Sequence, residues 1–385
     1  MKKKIVSVIL VAAMAVGCLA GCGSKEAKNE DAFYIGGIGP VTGDAAIYGT
    51  AVMNGAQIAV DEINEAGGIN GKKIEFNFQD DQSDAEKSVN AYNTLKDWGM
   101  QVLMGTVTTT PCVAVADKTA QDNMFEVTPS ASSTDVIAGD NVFQVCFTDP
   151  NQGTKSAQYI GEHSLATKVA VLYDSSADYN SGINDAFVAA AEENGLEIVA
   201  DEAYTADSNT DFSVQLKKIK DSGAELLFLP NYYADNALIL QQAHDAGMDD
   251  VKKFGVDGMD GILGVENFDT SLAEGVMLLT PFSATGDDEA TVKFVKAYGD
   301  ANNGETPNQF AADTYDVLYA MQLAADDAKI TPDMENADIS AAMSASMANI
   351  ELDGLTGKAK WTEDGECDKE PKAFEIKDGA YVEMK

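Results

Sequence analysis

Residues 33–78 read FYIGGIGPVTGDAAIYGTAVMNGAQIAVDEINEAGGINGKKIEFNF, which places two short apolar runs on either side of a longer periodic segment. The first run, Phe33 to Ile38, has the length and composition of a buried strand. Apolar residues from Val52 to Ile63 then recur at i, i+4, i+7, i+8 and i+11, which is one face of a helix, and Gly67-Gly68 ends it. Ile74 to Phe78 is a second strand. The order strand, helix, strand predicts a parallel sheet.

The same order recurs along most of the chain. The other predicted strands are Val102 to Met104, Phe125 to Val127, Val169 to Tyr173, Ile198 to Ala203, Leu226 to Leu229 and Val276 to Leu279. The other predicted helices are Ala85 to Trp98, Val113 to Asn123, Ser181 to Asn194, Phe212 to Ser222, Ala237 to Ala246 and Ala290 to Asn302. Such alternation builds parallel sheets with helices on both faces. We therefore predict an α/β fold of two doubly wound parallel-sheet lobes.

The lobe boundaries follow from breaks in this alternation. It pauses near residues 148–153 and restarts with the strand at Val169, and residues 280–282 and 353–361 indicate two further crossings. Three crossovers would form a hinge between the lobes. We predict that residues 32–147 with 282–350 form the first lobe and that residues 148–281 with 351–385 form the second.

The N-terminus carries the features of a secretion signal. Three lysines precede an apolar run from Ile5 to Ala20, which is shorter than the roughly 20 residues that span a bilayer. The run ends in Leu19-Ala20-Gly21-Cys22, which resembles the bacterial lipobox. We predict a signal peptide over residues 1–21, acylation of Cys22 and a flexible tether over residues 22–31. An uncleaved N-terminal anchor is the alternative.

Composition excludes several classes of function. The formal charge is −37, all 26 basic residues are lysines, and nucleic acid binding needs clustered cations. His163 and His244 lie far apart without ligand spacing, so neither a zinc site nor a serine–histidine triad is expected. Without arginine, an acid group on a ligand must be held by hydroxyls, backbone N–H groups or a lysine. We predict no metal and no cofactor; pairing among Cys112, Cys146 and Cys367 stays open.

Two other motifs have simple structural interpretations. Gly37-Ile38-Gly39 follows a strand, but the third glycine of a dinucleotide fingerprint is missing, because residue 42 is threonine. Asp80-Asp81 and Asp84 could coordinate a cation, although acidic residues after a strand more often cap a helix. Asn70-Gly71 is typical of a turn.

Hydroxyl and aromatic residues follow the ends of predicted strands. Thr106 to Thr110 and Thr128 to Ser133 follow strands of the first lobe and precede helices, which places hydroxyls and free N–H groups where a carboxylate could bind. Tyr179, Tyr232-Tyr233 and residues 255–261 follow strands of the second lobe and supply aromatic walls and acid. Ligands of such sheets bind beyond the carboxyl ends of the strands. Hydroxyls on one side and acid on the other suit a zwitterion.

The chain resembles the leucine/isoleucine/valine-binding proteins, the type I receptors of branched-chain amino acid ABC transporters. The resemblance lies in Gly39 to Gly49 (GPVTGDAAIYG), Asp61 to Lys72 (DEINEAGGINGK) and Asp80-Asp81, and it covers essentially the whole mature body. It implies two lobes, three crossovers and closure around an amino acid.

The resemblance also implies roles for single residues. Thr109 stands where the family has a serine that binds the α-carboxylate, and Ser132 stands where it has a threonine. Ser130 matches a position of backbone contact with the amino acid. Asp257 matches the acid that pairs with the α-ammonium, with Asp260 as the alternative acid.

Tyr48, Tyr179 and Tyr232 match aromatic positions around the ligand, and Ser83 and Thr108 replace a cysteine pair of the family, so that disulfide is absent. The predicted ligand-binding residues are therefore Tyr48, Thr108, Thr109, Ser130, Ser132, Tyr179, Tyr232, Asp257 and Asp260.

These features predict an extracytoplasmic receptor, attached to the bacterial membrane by lipid at Cys22. It would capture an amino acid by lobe closure and deliver it to an ABC permease and, through that permease, to a cytoplasmic ATPase. A branched-chain ligand is the family default; aromatic, small neutral and amide ligands stay open. A ligand sensor of the same fold is the alternative function. A secreted enzyme is disfavoured, because the motifs contain no nucleophile–base pair.

Overall fold

A computed structural model of the chain describes residue 29 and residues 31–384. The predicted signal peptide, the acylation site at Cys22 and nearly all of the predicted tether lie outside the described residues. Among the described helices, none combines the length and apolar character needed to cross a bilayer.

The first sheet has five parallel strands in the order β2-β1-β3-β4-β5. The strands are β1 (Ala32–Gly39), β2 (Lys73–Asp80), β3 (Val102–Met104), β4 (Phe125–Thr128) and β5 (Val142–Gln144), and the connecting helices are α1 (Ala46–Ala66), α2 (Ala85–Trp98) and α3 (Thr109–Asp122). The apolar side of α1, from Val52 to Ile63, is buried as its periodicity predicts. Asp84 caps α2 by accepting from the Lys87 N–H at 2.9 Å, so this acid has a structural role.

The second sheet begins with five parallel strands that pair in the order β10-β9-β8-β6-β7. These strands are β6 (Lys168–Asp174), β7 (Glu197–Tyr204), β8 (Leu226–Leu229), β9 (Lys252–Gly255) and β10 (Met277–Thr280), and the helices before and between them are α4 (Asp149–Glu162), α5 (Asp178–Ala191), α6 (Ser213–Ser222) and α7 (Tyr233–Asp245). The segment near residue 150, which the sequence pattern presents as a pause, is therefore the start of α4.

The C-terminal part adds two strands to the second sheet and none to the first, and two more of its strands pair as a small sheet of their own. It contains α8 (Glu289–Ala301), α9 (Gln309–Ala328), α10 (Asn336–Met347), β11 (Glu351–Gly354), β12 (Gly357–Lys360), β13 (Lys372–Lys377) and β14 (Ala380–Glu383). Helix α9 packs closely on α1 at Gly55, where a Cβ atom would lie 2.3 Å from the Ala311 carbonyl oxygen. β13 and β14 extend the second sheet as an antiparallel edge. That sheet is thus mostly, not wholly, parallel, because a tight hairpin returns the chain on the same edge.

The structure also shows the predicted turn at Asn70-Gly71 and the state of the three cysteines. Asn70 and Gly71 have φ angles of 49° and 79°, the left-handed pair that a tight two-residue turn requires, so the predicted turn is present. Cys112, Cys146 and Cys367 are buried, and each is a free thiol.

Glu126 is a carboxylic acid inside the first lobe. It is fully buried in β4 and accepts a hydrogen bond from the Thr119 hydroxyl at 2.7 Å. Burial raises the pKa of Glu126 to about 8. The hydrogen bond from Thr119 lowers this pKa but offsets only part of the effect of burial. The folded protein therefore retains a proton that the unfolded chain releases near pH 4.3.

We expect this proton to make stability depend on pH. Between about pH 4.5 and pH 8 the folded state binds more protons than the unfolded chain, so the free energy of unfolding falls as pH rises. Glu126→Gln should remove this slope, and its advantage over the parent should grow by on the order of 3 kcal/mol between pH 5 and pH 7.5. Urea unfolding at both pH values measures the difference. The exposed Glu75→Gln is the matched control, and curves for Glu126→Gln that run parallel to the parent would contradict the assignment.

Candidate ligand-binding site

The carboxyl ends of the two sets of parallel strands face each other, and the loops that follow them are in contact. The Tyr48 hydroxyl, from α1, donates to the Gly258 carbonyl oxygen and accepts from the Tyr233 N–H at 3.2 Å. The Thr110 hydroxyl donates to Asp178 across the same boundary at 3.2 Å. These contacts join residues up to 210 positions apart. The structure therefore shows the lobes closed on each other.

The N-terminus of α3 offers backbone N–H groups on the first-lobe side. Thr108 is its N-cap residue, but the Thr108 side chain makes no capping hydrogen bond, and no acid lies in the first turn. The Thr108 hydroxyl instead bonds to Ser83 at 2.8 Å, so the two residues that replace the family's cysteine pair do meet. Helices α4, α5 and α7 each carry an acid in the first turn. Of these four helix starts, that of α3 is therefore the one suited to an anionic group.

Three hydroxyls surround this helix start. The Thr109 hydroxyl accepts from the Ser132 N–H at 3.4 Å, which joins the loops after β3 and β4. Ser130 donates its hydroxyl to the Val107 carbonyl oxygen at 2.6 Å. Ser132 is fully buried, and its own hydroxyl has no hydrogen-bond partner among the described residues. The Ser132 side chain is close enough to the buried Asp149 carboxylate to lower the pKa of that acid, so its hydroxyl can turn to Asp149 or to a ligand.

Tyrosines form the wall on the opposite side. Tyr179 and Tyr232 stack with ring centroids 4.8 Å apart, and Tyr48 meets Tyr232 edge-on at 5.5 Å. Burial raises the pKa of all three hydroxyls, so they stay protonated. The backbone of Thr109 lies beside the Tyr232 hydroxyl and opposes part of that rise. The aromatic wall therefore touches the start of α3.

Asp257 lies behind this wall. Its carboxylate accepts from the Tyr179 hydroxyl at 2.5 Å, and its carbonyl oxygen accepts from the Gln309 side-chain amide at 3.1 Å. Burial raises the pKa of Asp257 to about 7, and the hydrogen bond from Tyr179 opposes the rise. A cation placed beside Asp257 would favour its ionised form.

Asp149 is a buried acid that the sequence patterns did not single out. It is the first residue of α4 and is 2% exposed, and neither carboxylate oxygen has a hydrogen-bond partner among the described residues. Its N–H donates to the Ser132 carbonyl oxygen at 2.9 Å. Burial raises the pKa of Asp149 well above its usual range; the Ser132 side chain acts against this rise, and the charge of Asp257 adds to it. The nearby Gln152 accepts from the Asp257 N–H at 3.4 Å, and its side chain acts against the rise in the pKa of Asp257.

Asp260 has a different setting from the other predicted residues. One carboxylate oxygen accepts from the backbone N–H of Gln309, the first residue of α9, at 2.7 Å. Asp260 also lines a cavity to which no other predicted ligand-binding residue contributes. The structure thus brings together the hydroxyls, the tyrosines, Asp257 and the unpredicted Asp149, and it leaves Asp260 apart from them.

The assembled groups have a clear polarity. The bare start of α3 and the hydroxyls of Thr109 and Ser132 are groups that can hold an anion, and Asp149 and Asp257 are groups that can hold a cation. The described residues contain no group of histidine, cysteine and acidic side chains that could hold a metal ion. Such an arrangement can accept a small molecule that carries both charges.

Comparison with known proteins shows the family to which this chain belongs. A family model described as "Periplasmic binding protein" matches residues 32–380. Leu/Ile/Val-binding protein homolog 3 of Brucella melitensis is 34% identical over 284 residues, which cover 72% of this chain and 76% of that protein. The Leu/Ile/Val-binding protein of Escherichia coli is 24% identical over 94% of each chain.

A solved structure supports the same placement. The branched-chain amino acid transporter substrate binding protein LivJ from Streptococcus pneumoniae, in complex with isoleucine, matches with a TM-score of 0.81 and 28% sequence identity. The match covers 92% of this chain and all of that chain. The predicted class of two α/β lobes is thereby confirmed, with mostly parallel sheets, and so is the predicted family resemblance. This chain belongs to the periplasmic binding protein family and is related to its Leu/Ile/Val-binding members.

Proposed function

We propose that this protein is an extracytoplasmic receptor that captures a neutral amino acid between its lobes for an ABC transporter. The observation that carries the proposal is the closed site, in which buried oxygens of Ser132 and Asp149 lie near each other but have no hydrogen bond of good geometry among the described residues. Such atoms cost free energy unless a ligand satisfies them. An α-carboxylate at the start of α3 and an α-ammonium between Asp149 and Asp257 would do so.

The proposed ligand class is a branched-chain or similar neutral amino acid. The ligand in the solved LivJ complex is isoleucine. The walls of the site are tyrosine rings, which suit an apolar side chain. The assembled groups include no lysine, and the chain has no arginine, so a side-chain carboxylate on the ligand would lack a charged partner. Acidic amino acids are therefore disfavoured.

Delivery and anchoring are the finer parts of the proposal. The lipobox-like sequence at Cys22 supports attachment to the membrane by lipid, which would keep the receptor beside its permease. Closure would present one surface built from both lobes for the permease to recognise, and the permease would pass the ligand on with the help of its ATPase. Metabolic labelling with a radioactive fatty acid tests the anchor.

A ligand screen tests the proposed function. The mature chain is heated with each of the twenty amino acids, and calorimetry follows for every compound that raises the melting temperature. Leucine, isoleucine or valine should give the largest shifts. Leucinamide and isovalerate, which each lack one of the two charges, should bind far more weakly than leucine. Stabilisation by none of the amino acids, or equal binding of leucine and isovalerate, would overturn the proposal.

Thr109→Val should weaken amino acid binding. Valine has nearly the shape of threonine but cannot donate to the carboxylate, and a hydrogen bond to a charged group is worth about 1.5–3 kcal/mol. We expect the dissociation constant to rise by at least about 10-fold. Calorimetry with the best ligand of the screen measures the change.

Thr110→Val is the matched control, because this neighbouring hydroxyl is exposed and bonds to Asp178. The control should lose much less affinity than Thr109→Val. Equal effects of the two substitutions would remove Thr109 from the site.

A further inference from the structure

A second cavity lies beside the hinge, outside the cleft described above. It has a volume of about 580 Å³, which is in the range of small-molecule sites. Its walls come from α1 at Ile47, from the loop at residues 260–264, from the crossing at residues 282–285 and from the turn before β14. The cavity is therefore enclosed by elements associated with both sheets.

The walls are mostly apolar, and most of their polar groups are already paired. Ile47, Leu263 and Phe282 supply apolar surface. The hydroxyls of Ser283 and Thr285 both donate to the Tyr381 carbonyl oxygen, at 3.2 Å and 3.0 Å. A bound molecule would thus find apolar contacts but few free hydroxyls.

Asp260 is the exception among the lining residues. It is 2% exposed, and its Oδ2 atom accepts from the Gln309 N–H at 2.7 Å. Its Oδ1 atom has no hydrogen-bond partner among the described residues. Burial raises the pKa of Asp260 to about 6, and the Gln309 N–H, the Tyr381 hydroxyl and the Gly261 N–H act against this rise. The Tyr381 hydroxyl, which accepts from the Gly261 N–H at 3.4 Å, can therefore turn its proton to Asp260. No lysine or histidine lines the cavity, so no cationic side chain pairs with the carboxylate there.

We propose that this cavity is a second binding site, which accepts a small amine with an apolar body and no carboxylate. The ammonium group would pair with Asp260, and the body would lie against Ile47, Leu263 and Phe282. A carboxylate is disfavoured because the nearby N-terminus of α9 is already capped by Asn308 and Asp260. Because both lobes contribute walls, an occupant would stabilise this closed arrangement and raise the affinity of the cleft for its own ligand.

The test uses the mature chain and phenethylamine, with phenethyl alcohol and 3-phenylpropionate as uncharged and anionic counterparts. Calorimetry should show binding of the amine, and the two counterparts should bind at least about 10-fold more weakly. Asp260→Asn keeps an oxygen for the Gln309 N–H but removes the charge, and Ala284→Phe fills the cavity from its wall. Each should weaken the amine by at least about 10-fold in a chain that still melts cooperatively.

Asp257→Asn separates this site from the cleft: it removes the cleft acid, whose charge is felt at Asp260, and should change amine binding far less than Asp260→Asn does. The proposal would be overturned if no binding of the amine is detected at 10 mM. This concentration is roughly ten times a dissociation constant of about 1 mM, the weakest that we expect from pairing of the ammonium group with Asp260. It would also be overturned if the alcohol binds equally well, if Asp260→Asn and Ala284→Phe both bind like the parent, or if Asp257→Asn alone abolishes binding. None of these outcomes bears on amino acid capture, which the ligand screen tests separately.

Discussion

Asp257→Asn is expected to weaken amino acid binding by at least about 100-fold. Removing one partner of a buried charge pair costs about 2–5 kcal/mol, because the ligand's ammonium group would be left in a closed site with less negative charge. Asparagine can still accept from the Tyr179 hydroxyl, so the local packing should survive. Calorimetry at pH 7.5 measures the loss, and the melting temperature of the ligand-free variant reports on folding.

The pH dependence distinguishes a charge effect from a structural one. Burial raises the pKa of Asp257 to about 7, so part of the ligand-free population is protonated at neutral pH. A bound ammonium favours the ionised form, and binding should therefore release a proton and weaken as pH falls below 7. Near pH 7 the proton release should drop by about half a proton in Asp257→Asn, and the drop should approach one proton at lower pH. The exposed Asp245→Asn is the matched control, and an unchanged affinity in Asp257→Asn would refute the assignment.

Asp149→Asn should have opposite effects on binding and on stability. The carboxylate is held at the start of α4, where a Cβ atom on Gly153 would lie 2.4 Å from the Ile183 carbonyl oxygen of α5. This close packing leaves Asp149 little room to reach water. Burial raises the pKa of Asp149, so this acid costs folding free energy at neutral pH, and its replacement should stabilise the ligand-free protein by about 1–3 kcal/mol. The same change removes a partner of the ammonium group and should weaken amino acid binding by at least about 30-fold.

Two measurements on one variant test this pair of effects. Urea unfolding without ligand gives the stability, and calorimetry gives the affinity. Asp185→Asn, an exposed acid on α5, controls for the loss of one negative charge from a strongly acidic protein. A variant that is less stable and binds normally would assign Asp149 a purely structural role. A gain in stability with a loss of affinity is the signature of a binding residue.

Local pattern predicted most of the elements that form the two sheets. The periodicity from Val52 to Ile63 matches α1, because a helix buried on one face has apolar residues at regular intervals. The apolar run Leu226 to Leu229 matches β8, because a strand buried on both faces is apolar throughout. Helices α9 and α10 were not predicted. The residues of α9 are buried on several sides, so its pattern lacks a clear polar face.

Short and edge strands were also missed. β5 has three residues and β9 begins with two lysines, so neither shows an apolar run. The hairpin of β13 and β14 closes the edge of the second sheet near the C-terminus, where no helix follows to complete the alternation. In each case the strand exists because a neighbouring strand is there to pair with it.

Some residues of the candidate site could likewise be predicted from the sequence, and others could not. Hydroxyls after β3 and β4 and tyrosines near the starts of α5 and α7 could be placed at strand ends from sequence alone, since parallel strands bring their carboxyl ends to one edge. Asp149 could have been found from its position at the start of α4, had residues 148–153 been interpreted as a helix start. The segment contains Asp-Pro at the first two helical positions, which is a helix-start signal.

By itself, the order of residues determined the alternation of strands and helices, the family and the kinds of group available to a ligand. Periodicity and composition are local properties, so they can be recognised without knowing which segments of the chain pack together. Which acids share the cleft, and which polar atoms stay unpaired there, was decided only by the tertiary structure. Asp257 and Asp260 are three positions apart, yet only Asp257 bonds to the tyrosine wall and only Asp260 lines the hinge cavity. Burial and hydrogen-bond partners come from segments distant in the chain, so neither can be read from a residue's neighbours in sequence.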